Sequence, residues 1–176
     1  PVPTFWPGDG GPYIGTANVV MTRGPDSQRI NLGCYRQMLH GPNKVGLYIT
    51  AGKHGRLDRD AWWQRGEPCE VVAAFGVDPV LFMMAGSGFG KDVSELDVAG
   101  GIMGRPVELA RGVSGSLPIL ARAEIVVEGI LRPGETEIEG PLGEVTGYFG
   151  NGRGPQPFIE VKALHHRKSP ILTSAI

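Results

Sequence analysis

Two carboxylates, a proline and two glycines fall within six residues at Glu139-Gly140-Pro141-Leu142-Gly143-Glu144, followed by Val145-Thr146-Gly147-Tyr148. Glycine and proline rule out a helix here and disfavour an interior strand, so both acids are expected on a shaped loop. Neighbouring carboxylates can push their pKa values apart, letting one hold a proton while the other stays ionised. The plainer alternative is a solvated acidic turn. A third charged group, Arg36, lies in an apolar stretch. If buried it needs a partner, and a guanidinium matches a carboxylate in a bidentate fork; otherwise it is an exposed strand arginine. Asn31, His54 and Glu95 carry an amide oxygen, a ring nitrogen and a carboxylate, which together would make a hard, mixed O/N metal site. Their spacing does not demand it. His54 also reads as a surface histidine on a loop after the third strand, and Glu95 as an acid near a helix start.

The elements that must position these residues are short and separated by turns. A strand pattern runs from Tyr13 to Met21, and Gly24-Pro25-Asp26-Ser27 signals a turn. Ile30 to Tyr35 then alternates as a half-buried strand, which predicts a β-hairpin. Asn31 and Arg36 are five apart, so a regular strand points them to opposite faces unless Gly33 permits a bulge. Gly41-Pro42-Asn43 is the next turn and Val45 to Thr50 a third strand. A helix is expected over Leu57 to Gln64, closed by Gly66, and Val71 to Phe75 reads as a buried strand. Asp78 and Pro79 are the cap and first residue of a helix through Val80 to Ala85. Gly86 to Gly90 is a glycine-rich loop, and Ser94 caps a short helix from Glu95 to Ala99. Pro106 to Ala110, Glu124 to Leu131 and Pro157 to Leu164 complete the strands. His165 and His166 end the last one, and Cys34 and Cys69 are ordinary core candidates. These elements predict an α+β domain on an antiparallel sheet or barrel.

Composition narrows the function classes. The 176 residues suffice for one domain, with 41% hydrophobic and 20% charged residues, as in globular proteins. A net charge of −1 gives no electrostatic case for nucleic acid or an anionic membrane. The 28 glycines and 15 prolines, roughly twice the usual share, indicate a loop-rich domain. No transmembrane run or signal peptide is visible, and two cysteines make no disulfide framework, so a reducing, cytoplasmic setting is expected. There is no P-loop, GxSxG or HExxH motif; Gly86 to Gly90 lacks the Lys-Ser/Thr ending of a phosphate loop. The chain opens on Pro1 and closes just after the apolar Ile171-Leu172, which suggests a piece of a longer protein.

Several segments in one order carry a family resemblance. They are Gly10-Gly11-Pro12-Tyr13, Arg29-Ile30-Asn31-Leu32-Gly33-Cys34-Tyr35-Arg36-Gln37-Met38, Gly66-Glu67-Pro68 and Phe75-Gly76-Val77-Asp78-Pro79. Val93-Ser94-Glu95, Ala99-Gly100-Gly101, Ala123-Glu124-Ile125-Val126-Val127-Glu128-Gly129 and the Glu139 to Tyr148 stretch continue the series. Together they resemble the UbiD family of prenylated-flavin-dependent decarboxylases over nearly the whole chain. The resemblance implies a split β-barrel of the flavin-reductase-like type, mostly antiparallel, with short helical insertions. It implies that residues 1–176 form the prenyl-FMN-binding domain of a longer decarboxylase whose C-terminal, pocket-closing domain is missing.

It also implies roles. Asn31, His54 and Glu95 match the ligands of a divalent metal, Mn²⁺ or Mg²⁺, with a potassium ion at the cofactor phosphate. Thr16, Gly33, Cys34 and Lys53 fall at cofactor-contacting positions, with Arg36. Arg36, Glu139 and Glu144 match a catalytic Glu-Arg-Glu set, in which Arg36 pairs with Glu139 and holds the substrate carboxylate while Glu144 protonates the carbon left behind. Two departures stand out: Lys53 replaces a glutamine of some relatives, and Gly86 to Gly90 replaces a proline-containing stretch near the potassium. The expected substrate is a small unsaturated or aromatic carboxylic acid, and the full-length protein is expected to be a homo-oligomer. The alternative is a non-catalytic flavin- or metal-binding module needing a partner; an ordinary flavin reductase gives no reason for the Glu-Arg-Glu set.

Overall fold

The structure, a computed structural model, describes residues 6–144, 146–150 and 152–173. Pro1, Pro3 and Phe5, expected to begin an irregular N-terminus, and Val145 of the acidic loop lie outside them. In chain order the strands and helices are β1 (Tyr13–Gly15), β2 (Asn18–Thr22), β3 (Asn31–Gly33), β4 (Gln37–Gly41), β5 (Lys44–Gly46), α1 (His54–Gln64), β6 (Cys69–Phe75), α2 (Pro79–Gly86) and α3 (Glu95–Met103). There follow β7 (Leu109–Ala110), β8 (Ile119–Leu120), β9 (Ile125–Leu131), β10 (Thr136–Glu139), β11 (Leu142–Gly143), β12 (Phe149–Gly150) and β13 (Gly154–His166).

The main sheet runs β1-β4-β5-β13-β9-β6-β2-β3, with β10 added alongside β13. Its strands pair antiparallel, from Tyr13↔Met38 at one end to Thr22↔Asn31 at the other. Connectivity forces this sheet to curl. In a flat sheet β3 and β4 would stand six strand spacings apart, about 29 Å at ~4.8 Å each. Yet the chain joins Gly33 to Gln37 in four steps, a reach of at most about 14 Å. The link from β1 to β2 is shorter still. Both ends of the ladder are therefore drawn together into a barrel.

Two cores follow from the curl. Along β6, Cys69, Val71, Ala73 and Phe75 join one cluster while Val72 and Ala74 join another, as strand alternation requires. The first collects side chains from β2, β5, β6, β9 and β13, so it fills the concave side. The second packs β2, β3, β6 and β9 against Leu81, Ala85 and Ala99 of the helices. The expected helix signals are realised at α2, where the Asp78 carboxylate accepts from the Val80 amide at 2.9 Å. They are realised too at α3, where the Ser94 hydroxyl accepts from Asp97 N and Gly104 closes the helix at φ 66°.

Four expectations change. The Ile30–Tyr35 segment is not half-buried: Asn31, Leu32 and Gly33 are all buried, because helices cover one face and the barrel the other. The third strand stops at Gly46; beyond it Leu47 N still donates to Pro157 O and Tyr48 N to Arg36 O, but as single tethers. Arg36 lies not on the second strand, where it was expected with Asn31, but in the crossover between β3 and β4, which removes the problem of opposite faces. Helix α1 begins at His54, so His54 is its first residue rather than part of a loop; its cap residue Lys53 makes no side-chain capping hydrogen bond, and the sequence carried no capping signal there.

Candidate active site and cofactor cavity

Glu139 is the last residue of β10, a strand with little apolar content that forms because it pairs along β13, with Glu139 opposite Gly154. Its carboxylate is 1% exposed. Arg36 donates to it through both Nε, at 2.8 Å to Oε1, and Nη2, at 2.7 Å to Oε2. This is the bidentate fork that two planar groups of opposite charge make best. The Tyr13 hydroxyl donates to the same Oε1 at 2.7 Å. The Arg36 guanidinium also lies over the Tyr48 ring, 4.3 Å from its centroid. Burial, then the hydrogen bond to Glu139, pushes the Tyr13 phenol well above its ordinary pKa, so it stays a donor. Burial alone would lower the Arg36 pKa, but the Glu139 bonds outweigh it and raise it.

Glu144 is placed differently. It follows β11 in a hairpin closed by Glu144 N to Tyr148 O, 2.8 Å, and Gly147 N to Glu144 O, 2.9 Å. Gly140 at φ 89° and Gly147 at φ 85° take the left-handed backbone that this bend needs. The Gly140–Pro141 peptide is cis. The Glu144 side chain is 46% exposed, with Oε1 at 4.0 Å from Arg36 Nη1. The N-terminal segment locks this loop from behind: Gly10 N donates to Pro141 O and Gly143 N to the Asp9 carboxylate, both at 2.8 Å. The two acids therefore differ in surroundings, one sequestered and one open, and both stand at one arginine.

One residue earlier along the chain, Tyr35 lines a polar cavity of about 300 Å³ that also takes in Asn31, Cys34, Lys53, His54 and Glu95. Gly86, Ser87, Gly88 and Phe89 supply another wall, so the glycine-rich loop belongs here. Tyr35 is held by Gly33 and Gly55: a Cβ on Gly33 would overlap its hydroxyl, and one on Gly55 would stand 2.8 Å from it. The Tyr35 hydroxyl accepts from Gly55 N at 3.2 Å, at the start of α1. That helix start, at Lys53 and His54, also carries the partial positive charge of the helix dipole. Glu95 is 2% exposed, its Oε2 accepting from Arg29 Nη1 and Leu32 N, both at 3.3 Å. Burial pushes the Cys34 thiol up to about 11, only partly offset by Lys53.

Of the residues expected to touch a cofactor, Asn31, Cys34, Lys53, His54 and Glu95 meet in this cavity. Thr16 sits in the bend between β1 and β2, and Gly33 and Arg36 flank the wall without lining it. Asn31, His54 and Glu95 thus offer oxygen, nitrogen and oxygen donors in one polar space, a set that suits a divalent cation. Among the described residues no cluster of three His, Cys, Asp or Glu side chains could hold a metal, so a metal here would need the Asn31 amide as third donor. Tyr13, Tyr48 and Arg29 were missed from sequence. A buried arginine implies an anionic partner, but nothing in the spacing pointed to the phenols. No helix among the described residues is long and apolar enough to cross a membrane.

The family model described as the 3-octaprenyl-4-hydroxybenzoate carboxy-lyase Rift-related domain, UbiD, matches residues 1–176. The evolved dimeric form of the UbiD-class enzyme HmfF from Pelotomaculum thermopropionicum, solved with prFMN, is 35% identical with a TM-score of 0.91. The match covers 97% of this chain and 39% of that one. Apo 3,4-dihydroxybenzoic acid decarboxylase (AroY) from Klebsiella pneumoniae is 32% identical, TM-score 0.88, over 99% of this chain and 38% of that one. The chain thus spans well under half the length of these relatives. A putative flavin reductase with a split barrel domain from Shewanella frigidimarina, 12% identical with a TM-score of 0.54 over 89% of this chain and 68% of that one, shares the fold.

Proposed function

Because this chain belongs to the UbiD family of carboxy-lyases, we propose that it is the cofactor-binding and catalytic core of a prenylated-FMN-dependent decarboxylase acting reversibly on unsaturated or aromatic carboxylic acids. The observation that carries this reading is the buried Arg36–Glu139 fork, set one residue from the wall of the cavity that holds Asn31, His54 and Glu95. Prenylated FMN, when bound, supplies the electron sink that no side chain offers. Its phosphate suits the cavity end, where the α1 N-terminus and Lys53 are positive. Asn31, His54 and Glu95 would hold Mn²⁺ or Mg²⁺ there, and the Gly86–Gly90 backbone is the wall from which carbonyls could reach a potassium ion.

The chain's own groups then divide the work. The Nε and Nη2 atoms of Arg36 are committed to Glu139, which holds the guanidinium as a fixed cation for the substrate carboxylate. Glu144 stands beside the same guanidinium, 4.0 Å from Nη1. A proton on Glu144 relieves the repulsion between the two acids and is the proton the carbon needs once carbon dioxide has left. Solvent can restore it, since the side chain is 46% exposed. Glu139, sealed from water and held by three donors, keeps Arg36 aimed.

That same exposure favours a second reading. Tyr148 and Phe149 beside Glu144 are 74% and 53% exposed, so among the described residues the acid face lacks the cover that excludes water in a working site. On this reading the chain is a flavin- and metal-binding module completed by another domain or subunit. Protein loaded with prenylated FMN separates the two when screened for carbon dioxide release from conjugated and aromatic acids. Turnover that disappears in Glu144→Gln with the flavin spectrum intact supports the enzyme. Flavin binding without turnover supports the module, and turnover undiminished in Glu144→Gln removes Glu144 as proton donor.

A further inference from the structure

Asn31 is the one ligand of the proposed metal set whose donor atom depends on orientation, because its amide presents oxygen on one branch and N–H on the other. In the barrel wall, Asn31 Nδ2 donates to Thr22 Oγ1 at 3.1 Å. Thr22 in turn donates through that oxygen to Asp58 Oδ2 at 2.7 Å. Asn31 is 2% and Thr22 0% exposed, so bulk water does not compete for these groups. β2 and β3 place the first pair directly opposite each other, Thr22↔Asn31, while Asp58 comes from the buried side of α1, one turn after His54.

From this chain we infer that Asp58, acting through Thr22, is the positioning residue that presents the Asn31 carbonyl oxygen to the cavity. An ionised carboxylate only accepts, so it fixes the direction of every bond behind it. The Thr22 proton must go to Asp58; the Thr22 oxygen must then accept; the Asn31 branch facing Thr22 must be N–H; and Oδ1 is turned the other way. Without the carboxylate anchor, the threonine hydroxyl can rotate and donate to Asn31 instead, turning the N–H groups toward the cation. Asp58 and Thr22 touch no metal themselves. Their role resembles that of the outer groups which orient ligating side chains in metal sites generally, where loss costs about 10–100-fold in affinity. The inference rests on the reading of Asn31, His54 and Glu95 as metal ligands.

Mn²⁺ titration in the presence of FMN, read by the electron paramagnetic resonance of the free aqua ion, tests it without reference to turnover. Wild type, His54→Ala, Thr22→Val, Thr22→Ser and Asp58→Asn are compared, with circular dichroism as the check on folding. Thr22→Val is isosteric and removes the hydroxyl; Thr22→Ser keeps it. The expected result is that wild type binds and His54→Ala does not. Thr22→Val and Asp58→Asn weaken binding about tenfold or more, and Thr22→Ser recovers most of the loss. Wild-type affinity in folded Thr22→Val overturns the relay while leaving the metal set standing. Equal failure of wild type and His54→Ala overturns the metal set, and the relay with it. Should Thr22→Val not fold, wild-type affinity in Asp58→Asn overturns the relay on its own.

Discussion

Replacing Glu139 by alanine removes the acceptor of three hydrogen bonds and leaves Arg36 with its charge inside the protein. The Arg36 side chain is 10% exposed and Glu139 1%, so the pair is desolvated and the orphaned guanidinium cannot recover water without opening the site. Breaking a buried pair from one side costs about 3–5 kcal/mol, most of it the unpaired charge. In urea, at about 2 kcal/mol per molar, the unfolding midpoint should fall by roughly 2 M. Glu137→Ala is the matched control: two residues earlier on β10, it also takes away a salt bridge, to Lys44, but the two side chains are 35% and 38% exposed. That change should leave the midpoint where it was, since exposed pairs contribute little. The double variant Arg36→Met/Glu139→Leu restores stability, because a hydrophobic pair of similar volume removes both charges at once. An equal, small shift for Glu139→Ala and Glu137→Ala would refute the reasoning. So would a double variant no more stable than Glu139→Ala.

Other outcomes follow from the same principles. Burial raises Cys34 to about 11 and Cys69 to about 12, so at pH 8 neither is a thiolate, and a disulfide reagent should react with the folded chain far more slowly than with free cysteine. Fast stoichiometric labelling at pH 8 of a chain that remains folded would contradict those thiol environments. Burial alone would raise Glu128, but the amides of Ser114 and Val113, with His165 and the Ser114 hydroxyl, hold it down at about 2. A folded pKa below the unfolded one contributes stability above about pH 4.5 that is lost as pH falls toward 2. Glu128→Gln should therefore flatten that part of the acid unfolding profile, and an unchanged acid limb would show that the carboxylate is not held as the geometry indicates.

Much of the framework was legible before any coordinates. Capping chemistry gave α2 and α3, because Asp78-Pro79 and Ser94 act within a few residues of themselves. Buried strands such as β6 announced themselves through apolar runs. What local pattern could not give was anything fixed by a distant partner. β10 reads as a charged stretch and becomes a strand only against β13. His54 starts a helix without a capping side chain, and the Gly55 amide is met instead by the Tyr35 hydroxyl, 20 residues away. Arg36 and Glu139 are 103 residues apart, and no periodicity relates them. Tyr13, 126 residues from Glu139, was visible as an ordinary aromatic residue at a strand start. The family resemblance drew attention to Arg36, Glu139 and Glu144, which the fold brings together, whereas Thr22, Asp58 and the phenols came into view only when the barrel assembled them.

The place of β13 has a consequence for how the molecule is made. Among the described residues it is the last strand in sequence, yet it is the strand through which β1-β4-β5 joins β9-β6-β2-β3. During synthesis, with the N-terminus emerging first, the strands on either side of it appear long before it does. Until then the edges of β5 and β9 carry rows of unpaired amides and carbonyls, the kind of template that invites pairing with another chain. Contacts of this sequence separation also form slowly. The nascent polypeptide therefore spends its most aggregation-prone interval waiting for Gly154 to His166, and a folding helper that shielded those two edges would act where the chain is most exposed.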